Sequence, residues 1–137
     1  MKLLIDANIL LDVLQAREPH VKDSSLIWKL CETGEAEGYV SALTFANLVY
    51  VMRKELNPEG IHDVLNKLEL IFHFTELSEA DLIRASEMEW KDFEDAIQCA
   101  TAERIGADYI LTRNVKDFLQ SRKVFAFTPS EFLERYL

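Results

Sequence analysis

The stretch Leu3-Leu4-Ile5-Asp6-Ala7-Asn8 constrains this chain more than any other: three apolar residues run without alternation into a carboxylate and an amide. An unbroken apolar run this short suits a strand covered on both faces, as in the centre of a parallel sheet. In open α/β sheets the ligand crevice lies at the carboxyl ends of the strands. Asp6 falls at that end, where a polar side chain is placed for chemistry.

The rest of the chain alternates helical and strand signals. Ile9 to Gln15 reads as a short helix that Pro19 keeps from continuing, because proline fixes φ and lacks a donor. Asp23-Ser24-Ser25 offers N-cap residues for a helix carrying Leu26, Ile27, Leu30 and Cys31. Tyr39-Val40-Ser41 is a second strand. Phe45, Leu48, Val49, Met52 and Leu56 then repeat at helical spacing until Asn57-Pro58 breaks the helix, leaving Asn47 off the core stripe. A helix from about Glu59 to Leu70 precedes a strand at Ile71-Phe72-His73-Phe74, and Ser78 with Asp81 resembles a capping box opening the next helix. Phe93, Ala96, Ile97, Ala100 and Ile105 mark another helix, stopped by Gly106. Strands at Tyr109 to Thr112 and Val124 to Phe127 follow, and Pro129 stands near the first turn of a C-terminal helix. This order predicts an α/β fold, a three-layer α/β/α sandwich around a central, mainly parallel sheet of about five strands.

At 137 residues, 49% of them hydrophobic, the expectation is a single domain, 1–137, with its own core. A carboxylate at position 6 interrupts any leader-like apolar region, and no apolar run approaches membrane-spanning length, so a soluble, cytoplasmic protein is expected. Cys31 and Cys99 are far apart within helical apolar patterns and read as buried free thiols. A net charge of −9 argues against gripping nucleic acid by bulk charge. It leaves room for an acidic site that attracts phosphate once cations bind it.

Such a site is legible. Asp6 ends the first strand, Asp92 and Asp95 open the helix before the fourth strand, and Thr112-Arg113-Asn114 with Asp117 follows that strand. The carboxyl ends of neighbouring strands bring these together, and clustered carboxylates are costly unless cations occupy them. All-oxygen donors suit Mg²⁺ or Mn²⁺. Each residue also has a local reading. Asp6 as an N-cap weighs evenly against Asp6 as a ligand, and for Asp92 the cap is the better reading. Asp12 is more a solvent or packing residue than a ligand. Arg113 and Lys116 flank the site and are the basic residues best placed to meet phosphates.

Three blocks carry a family resemblance: Leu4-Ile5-Asp6-Ala7-Asn8 with Leu11-Asp12; Asp92-Phe93-Glu94-Asp95-Ala96-Ile97 with Ala100 and Ala102; and Ala107 to Asn114 with Asp117-Phe118. In order, spacing and total length the chain resembles the PIN-domain proteins, metal-dependent ribonucleases that include the VapC-type toxins. The resemblance implies that Asp6, Asp95 and Asp117 hold Mg²⁺ or Mn²⁺ and carry catalysis, with Asn8, Thr112 and Asn114 as polar support. Where many PIN domains carry a glutamate this chain has Asn47, which brings an amide oxygen but no charge. On that resemblance Asp92, one turn before Asp95, would compensate as an outer ligand.

The function expected is therefore a divalent-metal-dependent endoribonuclease, a hydrolase of RNA phosphodiester bonds and the toxin of a toxin–antitoxin pair. A homodimer, an antitoxin protein and an RNA substrate are the partners implied. The alternative is a catalytically impaired PIN-like module that works through RNA or protein contacts, favoured by Asn47. A phosphatase or phospho-acceptor site on Asp6 is weaker, because Asn8 stands where a second aspartate is wanted.

Overall fold

The protein is described by a computed structural model covering residues 1–136. Its elements run β1 (Lys2–Ile5), α1 (Ala7–Leu14), α2 (Val21–Glu32), β2 (Glu37–Ser41), α3 (Ala42–Val51), α4 (Pro58–Ile71), β3 (His73–Thr75), α5 (Glu79–Met88), α6 (Phe93–Ile105), β4 (Tyr109–Leu111), a 3-10 turn (Val115–Phe118), β5 (Phe125–Phe127) and α7 (Pro129–Tyr136). The five strands form one sheet in the order β3-β2-β1-β4-β5, and all pair in parallel. β1 is thus the middle strand, and the winding reverses between β1 and β4. Leu3, Leu4 and Ile5 are wholly buried, as an unbroken apolar run requires.

Side chains alternate across a strand, so β1 feeds two cores. Leu3 and Ile5 pack with Ile9 and Leu10 of α1, Ile27 and Trp28 of α2, Leu48 of α3, Leu68 of α4 and Phe132 of α7. Leu4 packs on the opposite face with Cys99 and Ala102 of α6, Ile110 and Phe118. The α5–α6 pair closes that second layer through Ala85, Ala96, Ile97 and Ala100.

Two polar ties fasten the α5–α6 layer to the sheet. Arg104 of α6 donates to both carboxylate oxygens of Asp81 (2.8 and 3.0 Å), to Thr75 Oγ1 and to the carbonyl of Glu76. Burial opposes ionisation of Asp81, but the Arg104 guanidinium and the Ser78 bonds outweigh it and hold the carboxyl below the usual range. Asp81 also completes the capping box with Ser78. The second tie is a buried network. The Ser41 hydroxyl, at the end of β2, donates to Gln98 Oε1 at 2.9 Å, and Gln98 Nε2 donates to Thr44 Oγ1 at 2.6 Å.

Several local boundaries differ from the sequence reading. α2 begins at Val21, two residues before the expected cap, and no side chain caps it. Ser24 is instead wholly buried and donates to Asp12 Oδ2 at 2.8 Å. Asp12 is fully buried too, a packing residue with no solvent role. α3 ends at Val51, and the turn after it keeps Met52 and Leu56 in contact with the core. Asn57-Pro58 starts α4, Asn57 accepting from Gly60 N and Pro58 occupying the first turn, where a missing donor costs nothing. The third strand lies two residues later than expected, because α4 runs on through Ile71. No helix among the described residues is long and apolar enough to cross a membrane.

Candidate functional site

Asp6 follows β1 with extended backbone (φ −76°, ψ 155°), so the alternation that turns Leu4 toward α6 turns Asp6 the same way. Its backbone N–H bonds Leu111 O of β4 at 3.0 Å, placing it beside Thr112 at the point where the sheet reverses its winding. Ligands bind at such switch points. Asp6 caps α1 through Oδ1, which accepts from Ala7 N at 2.8 Å, while Oδ2 accepts from the Thr112 hydroxyl at 2.8 Å. Asn8 Nδ2 lies 3.4 Å from the same Oδ2 and 3.3 Å from Thr112 Oγ1, and Asn8 Oδ1 accepts from Arg113 N. Thr112, wholly buried, also accepts from Asn114 N, which bends the chain into the turn that carries Asp117.

Asp92 caps α6, its carboxylate accepting from Asp95 N at 3.1 Å. Asp95, in the first turn of α6, is pushed up to about 7, first by burial and then by the charges of Asp92, Asp117, Asp6 and Glu94. Burial likewise raises the Asp6 carboxyl, opposed by the bonds from Thr112 and Ala7. Asp92, Asp95 and Asp117 line an open cleft of about 480 Å³ with Trp90, Lys91 and Gln120. None of these carboxylates is in an ion pair; the three pairs among the described residues are Arg84–Glu103, Arg104–Asp81 and Arg113–Asp12.

Asn47 donates from Nδ2 to Oε2 of Glu94, the residue before Asp95, at 3.2 Å. The sequence reading missed Glu94. Its neighbours Asp92 and Asp95 drew attention by their spacing, whereas Glu94 matters through Asn47, 47 positions away. Gln98 was missed for the same reason, since its partners Ser41 and Thr44 lie across the fold. Arg113 differs from the free phosphate ligand expected beside the site. Its Nε is bound to the buried Asp12 Oδ2 at 3.0 Å, which commits the guanidinium to holding α1 against the end of β4. Lys116 is exposed on the 3-10 turn.

The donor set is hard oxygen, matched to Mg²⁺ or Mn²⁺ in kind. Among the described residues no three acidic, histidine or cysteine side chains converge closely enough to cage an ion as they stand. Burial first, and then the repulsion of like charges, raises the Asp95 carboxyl.

The sequence profile of the PIN domain matches residues 2–116. The chain is 27% identical to ribonuclease VapC1 of Aquifex aeolicus (strain VF5), over 98% of this chain and 95% of that protein. Among solved structures, a toxin–antitoxin complex from Klebsiella pneumoniae has a chain that superposes with a TM-score of 0.70 at 24% identity, covering 92% of this chain and 96% of that one. VapBC-1 from nontypeable Haemophilus influenzae gives 0.71 at 16% identity, over 95% and 99%. The profile match takes in β1 with Asp6, α3 with Asn47, α6 with Asp92 and Asp95, and β4 with Thr112, and stops one residue short of Asp117; the chain belongs to the PIN-domain family.

Proposed function

We propose that this protein is a divalent-metal-dependent endoribonuclease of VapC type. What supports the reading is that Asp6, Asp95 and Asp117, near the β1–β4 switch point, are in no ion pair among the described residues, and that Asp117 and Asp6 add to burial in raising the Asp95 carboxyl. Asp6, Asp95 and Asp117 would hold Mg²⁺ or Mn²⁺, which supplies Lewis acidity toward the scissile phosphate and lowers the pKa of water. Thr112 and Asn8 keep Asp6 oriented, since Thr112 donates to the oxygen that faces away from the helix cap. Asp92 holds the first turn of α6, and so the position of Asp95. Glu94 supplies the charge missing at Asn47, and the Asn47 amide orients it from α3. The curated relative's name, a ribonuclease, supports RNA as substrate.

Toxin–antitoxin complexes among the structural neighbours support an antitoxin as protein partner. For that partner, or for a second copy in a homodimer, the exposed Tyr50 and Val51 of α3 and Leu70 of α4 offer apolar surface. The binding-module alternative rests on Asn47, and the proximity of Glu94 weakens it.

The test is an RNA panel incubated with protein and Mn²⁺. Endonucleolytic cuts should appear, vanish with EDTA, and vanish in Asp6→Asn protein that melts as a folded chain. Equal cleavage by wild type and Asp6→Asn would assign the activity to a contaminant and leave the binding module as the better reading.

A further inference from the structure

A second cavity, of about 230 Å³, adjoins the acidic cleft and shares two walls with it, Trp90 and Gln120. Its charge is opposite. Arg84, Arg122 and Lys123 line it, against a single acid, Glu103, which is already paired with Arg84 at 3.1 Å. Arg122 and Lys123 are exposed and in no ion pair among the described residues. On a chain of net −9, unpaired cations gathered at one opening are a local exception that long-range repulsion of a polyanion does not erase.

The polar floor of this cavity is satisfied internally. Cys99 Sγ donates to Ser121 Oγ at 3.2 Å, and the Ser121 hydroxyl donates to the carbonyl of Val124. Burial raises the Cys99 thiol, so thiolate chemistry is suppressed there. What remains available is the cationic rim and the Trp90 ring, whose orientation is set by edge-to-face packing on Phe118 (centroids 6.1 Å apart, 72° between planes). The volume is small for an extended organic ligand and matches a charged group entering from the rim.

We propose that this cavity is a phosphate subsite for RNA, seating a backbone phosphate that flanks the one placed in the acidic cleft, with Arg122 and Lys123 as its cations and Trp90 as the wall between the two. The inference rests on the ribonuclease reading, since it needs a polyanion that spans both openings. Because a cleft that repels phosphate without ions adjoins one that attracts it without them, the strand is held on one side of the cut. Contact through the backbone makes this grip independent of base sequence.

Fluorescence anisotropy of a labelled single-stranded RNA, with Mn²⁺ and Asp6→Asn protein to prevent cutting, tests the subsite. Arg122→Glu with Lys123→Glu should weaken binding roughly tenfold or more at 0.1 M salt, and the slope of log affinity against log salt should become shallower by about 0.7, the expectation for one lost phosphate contact on a single strand. The control pair Lys22→Glu with Lys54→Glu makes the same change in net charge from exposed positions at α2 and after α3, in the opposite helical layer, and should leave the slope unchanged. Otherwise wild-type chains carrying the subsite pair should cleave with raised KM and largely retained kcat. Equal weakening by both pairs would show that only overall charge matters and would overturn the subsite, while wild-type cleavage would leave the ribonuclease reading standing. Binding of neither RNA nor metal, without cleavage, would overturn both.

Discussion

Replacing Asp95 with Asn should stabilise the metal-free protein. The Asp95 carboxyl is raised from 3.8 to about 7, so at neutral pH and above the folded state carries an ionised group it holds poorly. Felt in full, a shift of that size corresponds to roughly 4 kcal/mol. Asp95 is only half-buried, and solvent screens its neighbours, which reduces the expected gain to about 1–2 kcal/mol. Losing a charge that favours the N-terminus of α6 takes back a few tenths of that, roughly. The sign with pH follows from the raised value. The penalty is absent below the unfolded pKa near 4 and complete above about 7, so the wild-type apo protein should gain stability as pH falls from 8 toward 4.5. Asp95→Asn should flatten that slope. At pH 8 in EDTA its melting temperature should exceed wild type by roughly 3–8 °C for a domain of this size, and at pH 4.5 the two should nearly coincide. Added Mn²⁺ should reverse the order, raising wild type more than the variant, because an ion bound only to the native state stabilises it by mass action. A variant less stable than wild type at pH 8, with an unchanged pH slope, would refute both the clustered-charge account and the place of Asp95 in the site.

Three further outcomes are expected. Asn47→Glu should tighten Mn²⁺ binding, measured calorimetrically, and lower apo stability by adding a carboxylate against Glu94, whereas Glu94→Gln should weaken Mn²⁺ binding; an ion affinity indifferent to both would remove these residues from the site. Arg104→Ala leaves the buried Asp81 carboxylate without its cation and should cost about 3 kcal/mol in denaturant melts, and lowering the pH through the depressed pKa of Asp81 should also lower stability. Gly38→Ala should destabilise by roughly 1–3 kcal/mol, since its Cβ would stand 2.6 Å from Cys31 Sγ and 2.7 Å from Phe72 Cδ1, both in the core; a neutral melt would show that α2 and Phe72 yield more easily than close packing allows.

Sequence by itself determined what depends on a residue and its near neighbours. The apolar run of β1, the N-caps at Asp6, Ser78 and Asp92, the reciprocal bond of Asp81 and the stop at Gly106 are settled by backbone groups within four residues, and each stands where the chain order puts it. The same locality misled at Asp23-Ser24-Ser25, where good cap chemistry was outbid by a buried partner: Ser24 faces Asp12, and helix α2 starts earlier without a cap. Asn57-Pro58 was legible as a boundary but not as the start of α4, because proline both ends one helix and suits the first turn of another. Only the tertiary structure decided which distant polar groups meet. The β3-β2-β1-β4-β5 order sets Thr112 on Asp6 across 106 positions, the packing of α3 against α6 sets Asn47 on Glu94, and the Arg113 guanidinium is committed to Asp12. The physical reason is that a buried polar group such as Asp12 or Thr112 must find its partner wherever the close-packed core brings one, an exposed pair such as Asn47 and Glu94 meets only where packed helices set it, and sequence separation carries no information about either distance.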